Sequence, residues 1–324
     1  MFKIKKLKMI YLLKINKLSQ YNMTIFKKLP DDILNYLNDF LDVESKVNLF
    51  YSKIDNQELI KLCYIKRITI SYQKLTDKIL KQNIFDQLVE INSFNSPEIK
   101  DLNRFSETLK IINISYHSGV DDNGIKDCLK LIEIKAVINQ NIKDLNKFYK
   151  TLQVVNISGY DCGVDDNGIK DCLKLIEIDA FANPKIKDLN KFHQTLQIIN
   201  ISGRNSGVDN NGIKDCLKLI NINTYNNMKI TNLNIFYQTL EIIDIGNNCG
   251  VDDNGIKDCF KLVEIKAYGN HKIKNLNIFH RTLEIVDISY NCGVDNNGIK
   301  DCIKLVKIIA YSNPKFEDFN KRLF

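Results

Sequence analysis

The feature that most constrains this chain is an internal repeat of 43–44 residues that fills the sequence after about residue 85. The block Gly-Val-Asp-(Asp/Asn)-Asn-Gly-Ile-Lys-Asp-Cys starts at Gly119, Gly163, Gly207, Gly250 and Gly293. A second block, Ile-Lys-Asp-Leu-Asn-x-Phe-x-x-Thr-Leu, starts with small substitutions at Ile99, Ile142, Ile186, Ile230 and Ile273. A fixed period of this length is typical of a solenoid, in which each repeat packs only on its neighbours.

Each repeat divides into two half-repeats of 21–23 residues with similar apolar patterns. The type 1 half-repeat reads Leu-x-x-Ile-x-small-x-x-Asn-x-x-Ile and begins at Leu88 (with Ser96 at the Asn position), Leu131, Leu175, Leu219, Leu262 and Leu305. The type 2 half-repeat reads Leu-x-x-(Ile/Val)-x-Ile and begins at Leu109, Leu152, Leu196, Leu240 and Leu283. Because alternate residues are apolar, each of these segments is predicted to be a short strand with one buried face. Ile65, Ile68 and Ile70 predict one further, degenerate strand before them.

The segments between the strands are predicted to be short helices. Ile142, Leu145, Phe148 and Leu152 are spaced by 3, 3 and 4 residues, which places them on one face of a helix. The Asp-Asn-Gly signal before Ile125 predicts a turn and a helix start. One strand and one short helix cannot bury their apolar faces alone, so stacking into a parallel sheet backed by helices is expected.

This pattern resembles that of leucine-rich repeats, and it covers roughly 240 of the 324 residues. The resemblance implies an α/β horseshoe over residues 67–324, with a parallel sheet on the concave face and short helices on the convex face. It also implies that a column of Asn residues bonds the turn after each type 1 strand, namely Asn139, Asn183, Asn227, Asn270 and Asn313. In the type 2 half-repeats, His117, Tyr160 and Arg204 replace this Asn, while Asn248 and Asn291 are predicted to restore it.

Five cysteines recur at one repeat position, three residues before the first Leu: Cys128, Cys172, Cys216, Cys259 and Cys302. They resemble those of the cysteine-containing subtype of leucine-rich repeat. Equivalent cysteines would lie two strands apart, or about 9–10 Å, which is too far for a disulfide and predicts buried thiols. No Cys-x-x-Cys motif occurs and the four His residues do not cluster with the cysteines, so we expect no metal site and no cofactor.

Composition restricts the classes of partner. The net charge of +7 comes from the first 28 residues, which hold eight Lys and no acid, whereas the remaining chain carries 38 basic against 39 acidic residues. The body therefore gives no electrostatic reason to bind nucleic acid. No apolar run approaches the roughly 20 residues of a membrane span. Residues 1–25 are predicted to be a poorly ordered basic leader, with an amphipathic helix on a membrane surface as the alternative.

Residues 26–66 do not follow the repeat and are predicted to form short helices. Pro30 and the acids after it suit a helix start, and Ile33, Leu34, Leu37, Phe40 and Leu41 form an apolar stripe. The segment resembles an F-box, an all-α module that docks on the adaptor subunit of SCF-type cullin ubiquitin ligases. The resemblance assigns adaptor binding to the matching motif positions Leu29, Pro30, Ile33, Leu34, Leu37 and Leu41. The alternative is a helical cap that shields the first repeat.

The concave strand residues are the candidate contacts to a protein substrate. One column, directly after the small residue of each type 1 strand, is nearly all aromatic: Phe94, Val137, Phe181, Tyr225, Tyr268 and Tyr311. Aromatic residues are enriched at interface hot spots, so Phe94, Phe181, Tyr225, Tyr268 and Tyr311 are predicted to bind substrate. The alternative is that these rings only cover the strand ends.

No nucleotide-binding glycine loop, nucleophile elbow or zinc-protease helix occurs, so a non-enzymatic protein is expected. The order of an F-box-like module followed by repeats implies the substrate-recognition subunit of a cullin ubiquitin ligase. The Asn-, Ile- and Lys-rich composition of the chain resembles that of F-box/leucine-rich-repeat proteins of protists and of large DNA viruses of amoebae. The expected location is the cytoplasm, the host cytoplasm if the chain is viral, or the nucleus. The second hypothesis is a repeat scaffold without ligase association.

Overall fold

The computed structural model describes residues 65–68 and 75–316, and these form one parallel sheet of twelve strands in sequential order. The predicted leader, the six adaptor-binding positions and nearly all of the F-box-like module lie outside the described residues. The strands are β1 (Arg67–Ile68), β2 (Glu90–Asn92), β3 (Ile111–Asn113), β4 (Glu133–Lys135), β5 (Val154–Asn156), β6 (Glu177–Asp179), β7 (Ile198–Asn200), β8 (Asn221–Asn223), β9 (Ile242–Asp244), β10 (Glu264–Lys266), β11 (Ile285–Asp287) and β12 (Lys307–Ile309). The predicted solenoid and its parallel sheet are confirmed.

Each strand of β2 to β12 has three residues, and the middle one faces the core. In β6 and β7, Ile178 pairs with Ile199 and both are buried, whereas the residues on either side of them point away. The same register holds from one pair of strands to the next because every half-repeat keeps Leu-x-x-(Ile/Val) spacing. A shift by one residue would expose the whole apolar column, so the pattern fixes the pairing.

The return segments are shorter than predicted, and this corrects the expectation of helices at every half-repeat. Among the described residues, the return segments contain two four-residue α-helices, Asp77–Leu80 and Asp166–Ile169, and the first of them is followed before β2 by a three-residue 3₁₀ turn, Asn83–Phe85. The other return segments each contain a single three-residue 3₁₀ turn: Asn103–Phe105, Asn123–Ile125, Asn146–Phe148, Asn190–Phe192, Asn211–Ile213, Asn234–Phe236, Asp253–Gly255, Asn277–Phe279 and Asn297–Ile299. A spacing of three residues, as between the buried Leu145 and Phe148, matches the 3.0 residues per turn of a 3₁₀ helix. A half-repeat of 21–23 residues leaves no room for a longer helix.

The Asp-Asn-Gly block starts these turns as predicted. Asp165 Oδ1 accepts a hydrogen bond from Gly168 N at 3.0 Å, which caps the helix Asp166–Ile169. Asp166 Oδ1 accepts from Lys187 N in the next half-repeat at 2.9 Å and so joins the two. Gly168 is required because a Cβ there would lie 2.1 Å from Lys143 O. The recurring Asp residues are therefore turn and stacking residues.

The Asn column is confirmed in the type 1 half-repeats. Asn183 is fully buried, and its Nδ2 donates to Ile157 O at 2.8 Å and to Val164 O at 3.2 Å, both in the preceding half-repeat. Its Oδ1 accepts from Lys185 N at 2.9 Å. One side chain thus satisfies three buried or partly buried backbone groups and links two turns.

The prediction that Asn248 and Asn291 restore this column is wrong. Both side chains are exposed, and the buried turn position in the type 2 half-repeats lies one residue later. Small side chains occupy this buried position throughout: Ser118, Cys162, Ser206, Cys249 and Cys292. Cys249 Sγ lies 3.1 Å from Thr224 Oγ1. The two turns with an extra residue have Gly159 and Gly203 at a position of positive φ, and the other type 2 turns have a positive φ at the same position, at Tyr116, Asn247 and Tyr290.

The five ladder cysteines are buried, as predicted. Each thiol donates to the carbonyl of a Leu in the preceding half-repeat, as Cys172 Sγ does to Leu145 O at 3.2 Å. Burial, followed by the nearby carboxylate of Asp171, raises the pKa of Cys172 to about 12. The side chain is therefore a protonated thiol that packs in the core.

Candidate functional site

The concave face consists of the first and third residues of each strand, followed by the residue two positions beyond the strand. These positions form three columns that cross the sheet at right angles to the strands. We number residues from the first residue of each strand, so the columns are called the first, third and fifth; the fifth residue lies two positions beyond the end of the strand. The described residues present all three columns along β2 to β12.

The third column is polar and is used mainly to hold the turns. In β6, Asp179 Oδ1 accepts from Phe181 N at 3.1 Å, and in β8, Asn223 Oδ1 accepts from Tyr225 N at 2.9 Å. The same bond to the backbone N–H two residues later is made by Asn92, Asn113, Asn156, Asn200, Asp244 and Asp287. These Asx turns close the ends of eight of the eleven strands β2 to β12, whereas β4, β10 and β12 have Lys135, Lys266 and Ile309 at this position. Sequence reasoning placed these residues on the concave face but missed this role.

The first column alternates between acidic and aliphatic side chains, which sequence reasoning missed. Type 1 strands contribute Glu90, Glu133, Glu177, Asn221, Glu264 and Lys307. Type 2 strands contribute Ile111, Val154, Ile198, Ile242 and Ile285. The alternation was visible in the sequence because the residue before each buried Ile differs between the two half-repeat types. Glu90 pairs with Arg67 at 3.6 Å, Glu133 with Lys135 at 3.0 Å and Glu264 with Lys266 at 3.1 Å, so three of the four acids of this column have a cationic partner.

The fifth column brings two of the predicted aromatic residues together. The rings of Tyr225 and Tyr268 stack with centroids 5.2 Å apart and planes inclined by 23°, although their strands are not neighbours. Gly246, two residues after the end of β9, lies between them, and a Cβ there would be 3.0 Å from Tyr268 Cε1 and 3.1 Å from Tyr225 Cδ2. The glycine therefore permits the two rings to meet over the intervening strand. Sequence reasoning did not single out this residue.

The other predicted aromatic residues stand apart from this pair. Phe94 packs against Tyr116, with ring centroids 4.8 Å apart, near the start of the sheet. Phe181 is 44% exposed, and Tyr311 at the last described strand is 75% exposed. The five predicted substrate contacts thus lie on one face but form separate aromatic patches, because small residues such as Ser202 alternate with them. Their role in substrate binding stays a prediction.

A cavity of about 280 Å³ lies at the centre of the concave face, between β6 and β10. Its walls combine carboxylates, amides, one ammonium group and four Ile residues: Glu177, Ile178, Asp179, Ile198, Ile199, Asn200, Asn221, Asn223, Ile242, Asp244 and Lys266. Burial raises the pKa of Asp244 above its usual value, against the lowering effect of its hydrogen bond from Gly246 N. Burial and the neighbouring Asp244 also raise the pKa of the Tyr268 hydroxyl, which lies 3.5 Å from Asp244 Oδ2.

The described residues hold neither a metal-binding cluster nor a membrane-spanning helix. Across 65–68 and 75–316, no group of three or more His, Cys, Asp or Glu side chains is arranged to hold a metal ion. In the same part of the chain, every helix is too short to cross a bilayer. The adaptor-binding positions Leu29, Pro30, Ile33, Leu34, Leu37 and Leu41 are not among the residues that the structure describes.

No family model and no curated protein matches the chain. Solved structures do match. An internalin, InlF of Listeria monocytogenes, is similar over 87% of this chain and 91% of its own, with a TM-score of 0.56 and 17% identity. A complex of TLR13 with the RNA ssRNA13 matches 78% of this chain and 42% of that one (TM-score 0.49, 16% identity), and yeast Rad7 in complex with Elc1 matches 96% and 85% (TM-score 0.47, 11% identity).

At these identities the likeness to solved structures shows the fold alone, and the internalin, with its TM-score of 0.56, supports that fold. The parallel sheet, the repeat of 21–23 residues and the buried Asn column agree with that likeness. The described part of this chain folds as a leucine-rich-repeat solenoid.

Proposed function

We propose that the protein is the substrate-recognition subunit of an SCF-type cullin ubiquitin ligase. Residues 26–66 would dock on the adaptor subunit, and the concave face of the repeats would bind a protein substrate. The observation that carries the proposal is the order of an F-box-like sequence followed directly by a solenoid with an open binding face. Such a subunit acts by bringing the substrate close to the ligase, and it needs no catalytic residues of its own.

The concave face supports the substrate-binding half of the proposal. It combines the stacked rings of Tyr225 and Tyr268 with the central cavity, and these lie side by side across β8 to β10. Aromatic anchors beside a concavity are typical of interface hot spots. We place this activity in the cytoplasm, which would be the host cytoplasm for a viral chain, with the nucleus as a second compartment. Microscopy of a fluorescent fusion tests the compartment.

Co-purification with the cullin adaptor tests the docking half. We expect the full chain to retain the adaptor, and Leu34→Asp or Leu37→Asp to abolish retention while circular dichroism shows a folded array. Tyr268→Ala is the matched control, because it changes the concave face only and should leave adaptor binding intact. Failure of the full chain to bind the adaptor, or undiminished binding by Leu34→Asp, would contradict the ligase role.

The second candidate is a repeat scaffold that binds a protein through the same face without any ligase. The fold supports this candidate as well as the first, because both use the concave surface. The adaptor experiment separates them: a scaffold retains its concave-face partner but not the adaptor.

A further inference from the structure

We propose that the centre of the concave face binds a basic segment of the partner protein, with an Arg or Lys side chain in the cavity between β6 and β10. This inference rests on the proposed function only in taking the concave face as the surface that meets a protein. It names the chemistry of the partner, which neither the fold nor the sequence pattern assigns.

The concave centre carries excess negative charge. The cavity is lined by three carboxylates, those of Glu177, Asp179 and Asp244, and by one cation, Lys266. Across β2 to β12, seven acids occupy the first and third columns: Glu90, Glu133, Glu177, Asp179, Asp244, Glu264 and Asp287. Three cations stand among them, Lys135, Lys266 and Lys307. Since the chain after the leader has nearly equal numbers of acids and bases, negative charge is concentrated on this face.

Lys266 compensates this charge only in part. It lines the cavity and attracts Asp244, but it also pairs with Glu264 at 3.1 Å, so one cation faces four carboxylates. Within the described chain, Glu177 makes no ion pair of 4 Å or less, and it stands beside Ile198 in the pairing of β6 with β7. A bound guanidinium or ammonium group would supply the missing charge. An acidic segment or a nucleic-acid backbone would be repelled.

The aliphatic residues of the first column favour a basic side chain over a free cation as the ligand of the cavity. Ile198 is 37% exposed, and together with Ile242 it forms the apolar part of the cavity wall. Arg and Lys side chains have an apolar stem and a charged end, and they cover apolar surface while the charge reaches a polar partner. The stem would lie on Ile198 and Ile242, and the charged end would reach Asp179, Asp244 or Glu177. The stacked Tyr225 and Tyr268 rings border the same strands and offer a face to a second basic side chain.

Fluorescence anisotropy with labelled peptides tests the proposal on the full chain. The probes are fluorescein-labelled hexa-arginine, hexa-citrulline, which keeps the shape of Arg without its charge, and hexa-glutamate. At low salt we expect hexa-arginine to bind, hexa-citrulline to bind at least tenfold more weakly, and hexa-glutamate not to bind. Equal binding of arginine and citrulline peptides, or no binding of hexa-arginine, overturns the proposal.

Two matched variants separate a specific site from general attraction. The first carries Glu177→Asn, Asp179→Asn and Asp244→Asn, and the repeats show that the fold accepts Asn at these positions, as at Asn221 and Asn200. We expect at least a tenfold loss of hexa-arginine binding, with the melting temperature by circular dichroism largely retained. The single variant Asp244→Asn provides a milder version should the triple variant be unstable.

The control variant changes the same number of charges in the same repeats, at exposed positions in the return segments: Asp171→Asn, Asp215→Asn and Asp258→Asn. We expect less than a twofold change in hexa-arginine binding. An equal loss in both triple variants overturns the proposal, because net charge alone would then explain binding.

The basic leader is a competing occupant. If replacing Lys3, Lys5 and Lys6 by Gln in the full chain tightened hexa-arginine binding more than tenfold, the leader would occupy the cavity and the proposal would be overturned. Peptide binding without adaptor retention would leave this inference standing and contradict the ligase role. Adaptor retention without peptide binding would support the ligase role and contradict this inference.

Discussion

Asp244 on the concave face has two opposing effects: its side chain holds the turn after β9, and its charge is partly buried. Its Oδ1 accepts from Gly246 N at 3.1 Å, a bond that the Asn residues of the neighbouring strands make equally well. Its charge, however, is half-buried, and burial raises the pKa of its carboxyl. The ionised form is therefore disfavoured in the folded protein. Asn could make the turn bond equally well, so the charge itself acts on other neighbours, namely Lys266 and the Tyr268 hydroxyl, which lies 3.5 Å from Asp244 Oδ2.

We expect Asp244→Asn to raise the melting temperature at pH 7. An acid whose pKa is raised by folding stabilises the protein fully below its unfolded pKa, and this contribution is lost as the pH rises through the folded pKa. The advantage of the variant should therefore shrink as the pH falls from 7 towards about 4, near the ordinary pKa of Asp. Thermal denaturation of both proteins over this range measures the difference. A less stable variant at pH 7, or a difference independent of pH, would contradict the expectation.

The ladder cysteines should resist alkylation in the folded protein. The thiolate is the reactive form, and burial first, then nearby carboxylates, raise the pKa of Cys128, Cys172 and Cys216 to about 12. Cys302, in the last complete described turn, has a pKa raised to about 11 and is 6% exposed. We expect iodoacetamide at pH 8 to modify Cys302 first and the others only after denaturation. Mass spectrometry of the peptides measures this order, and a disulfide between any two ladder cysteines would show that the strand spacing is wrong.

At the scale of the half-repeat, the two turn types use different chemistry to fill the same place. The type 1 turn has a buried Asn with three hydrogen bonds, and the type 2 turn has a buried Ser or Cys. A single Asn that bonds the carbonyls of the preceding half-repeat joins the two types into one unit of 43–44 residues. This explains why the sequence period is two strands and not one.

We expect Asn183→Ala to lower the free energy of unfolding by about 2–4 kcal/mol, because it leaves two buried carbonyls and one N–H without their partner. Asn248→Ala is the matched control: it is the same sequence change at the equivalent distance from Leu, but the side chain is exposed. Its expected cost is about 0.5 kcal/mol or less. Urea denaturation compares the two variants. Equal losses would contradict the structural difference between the turns.

Strand position and register could be predicted because they follow from one local rule, the alternation around Leu-x-x-(Ile/Val). The return segments were predicted less well, because a spacing of three residues fits both a helix and a 3₁₀ turn, and the length of the half-repeat decides between them. The type 2 turn was predicted wrongly because counting eight residues from Leu240 leads to Asn248, whereas the chain buries Cys249. Burial of a small side chain depends on the neighbouring turns and not on local spacing.

For the whole molecule, the concave face was predictable as a surface but its chemistry was not. The aromatic column was visible, yet the Tyr225–Tyr268 contact depends on Gly246 in a half-repeat between them. Likewise the carboxylates of the central cavity come from β6 and β9, more than 60 residues apart in sequence. Only stacking brings these residues to one place. Recognition by a solenoid is thus a property of neighbouring repeats and cannot be assigned to any one of them.

The last described strand is expected to be the least stable part of the array. β12 pairs with β11 on one side, and among the described residues nothing pairs with its other edge. Val306 is 78% exposed and Ile308 is 41% exposed, whereas the equivalent Ile222 of β8 is fully buried. Because each half-repeat is stabilised by its neighbours, a strand with one neighbour opens at lower cost than a strand with two.

Hydrogen exchange by mass spectrometry measures this difference. We expect amides of residues 305–310 to exchange faster than those of residues 219–224 in a monomeric sample, since opening of the end does not require the centre to open. An exposed strand edge also pairs readily with a second chain, so raising the protein concentration should slow exchange at 305–310 and leave 219–224 unchanged. Equal protection of the two segments in the monomer would contradict the expectation, because it would mean that residues beyond 316 cover this edge as completely as a further repeat does.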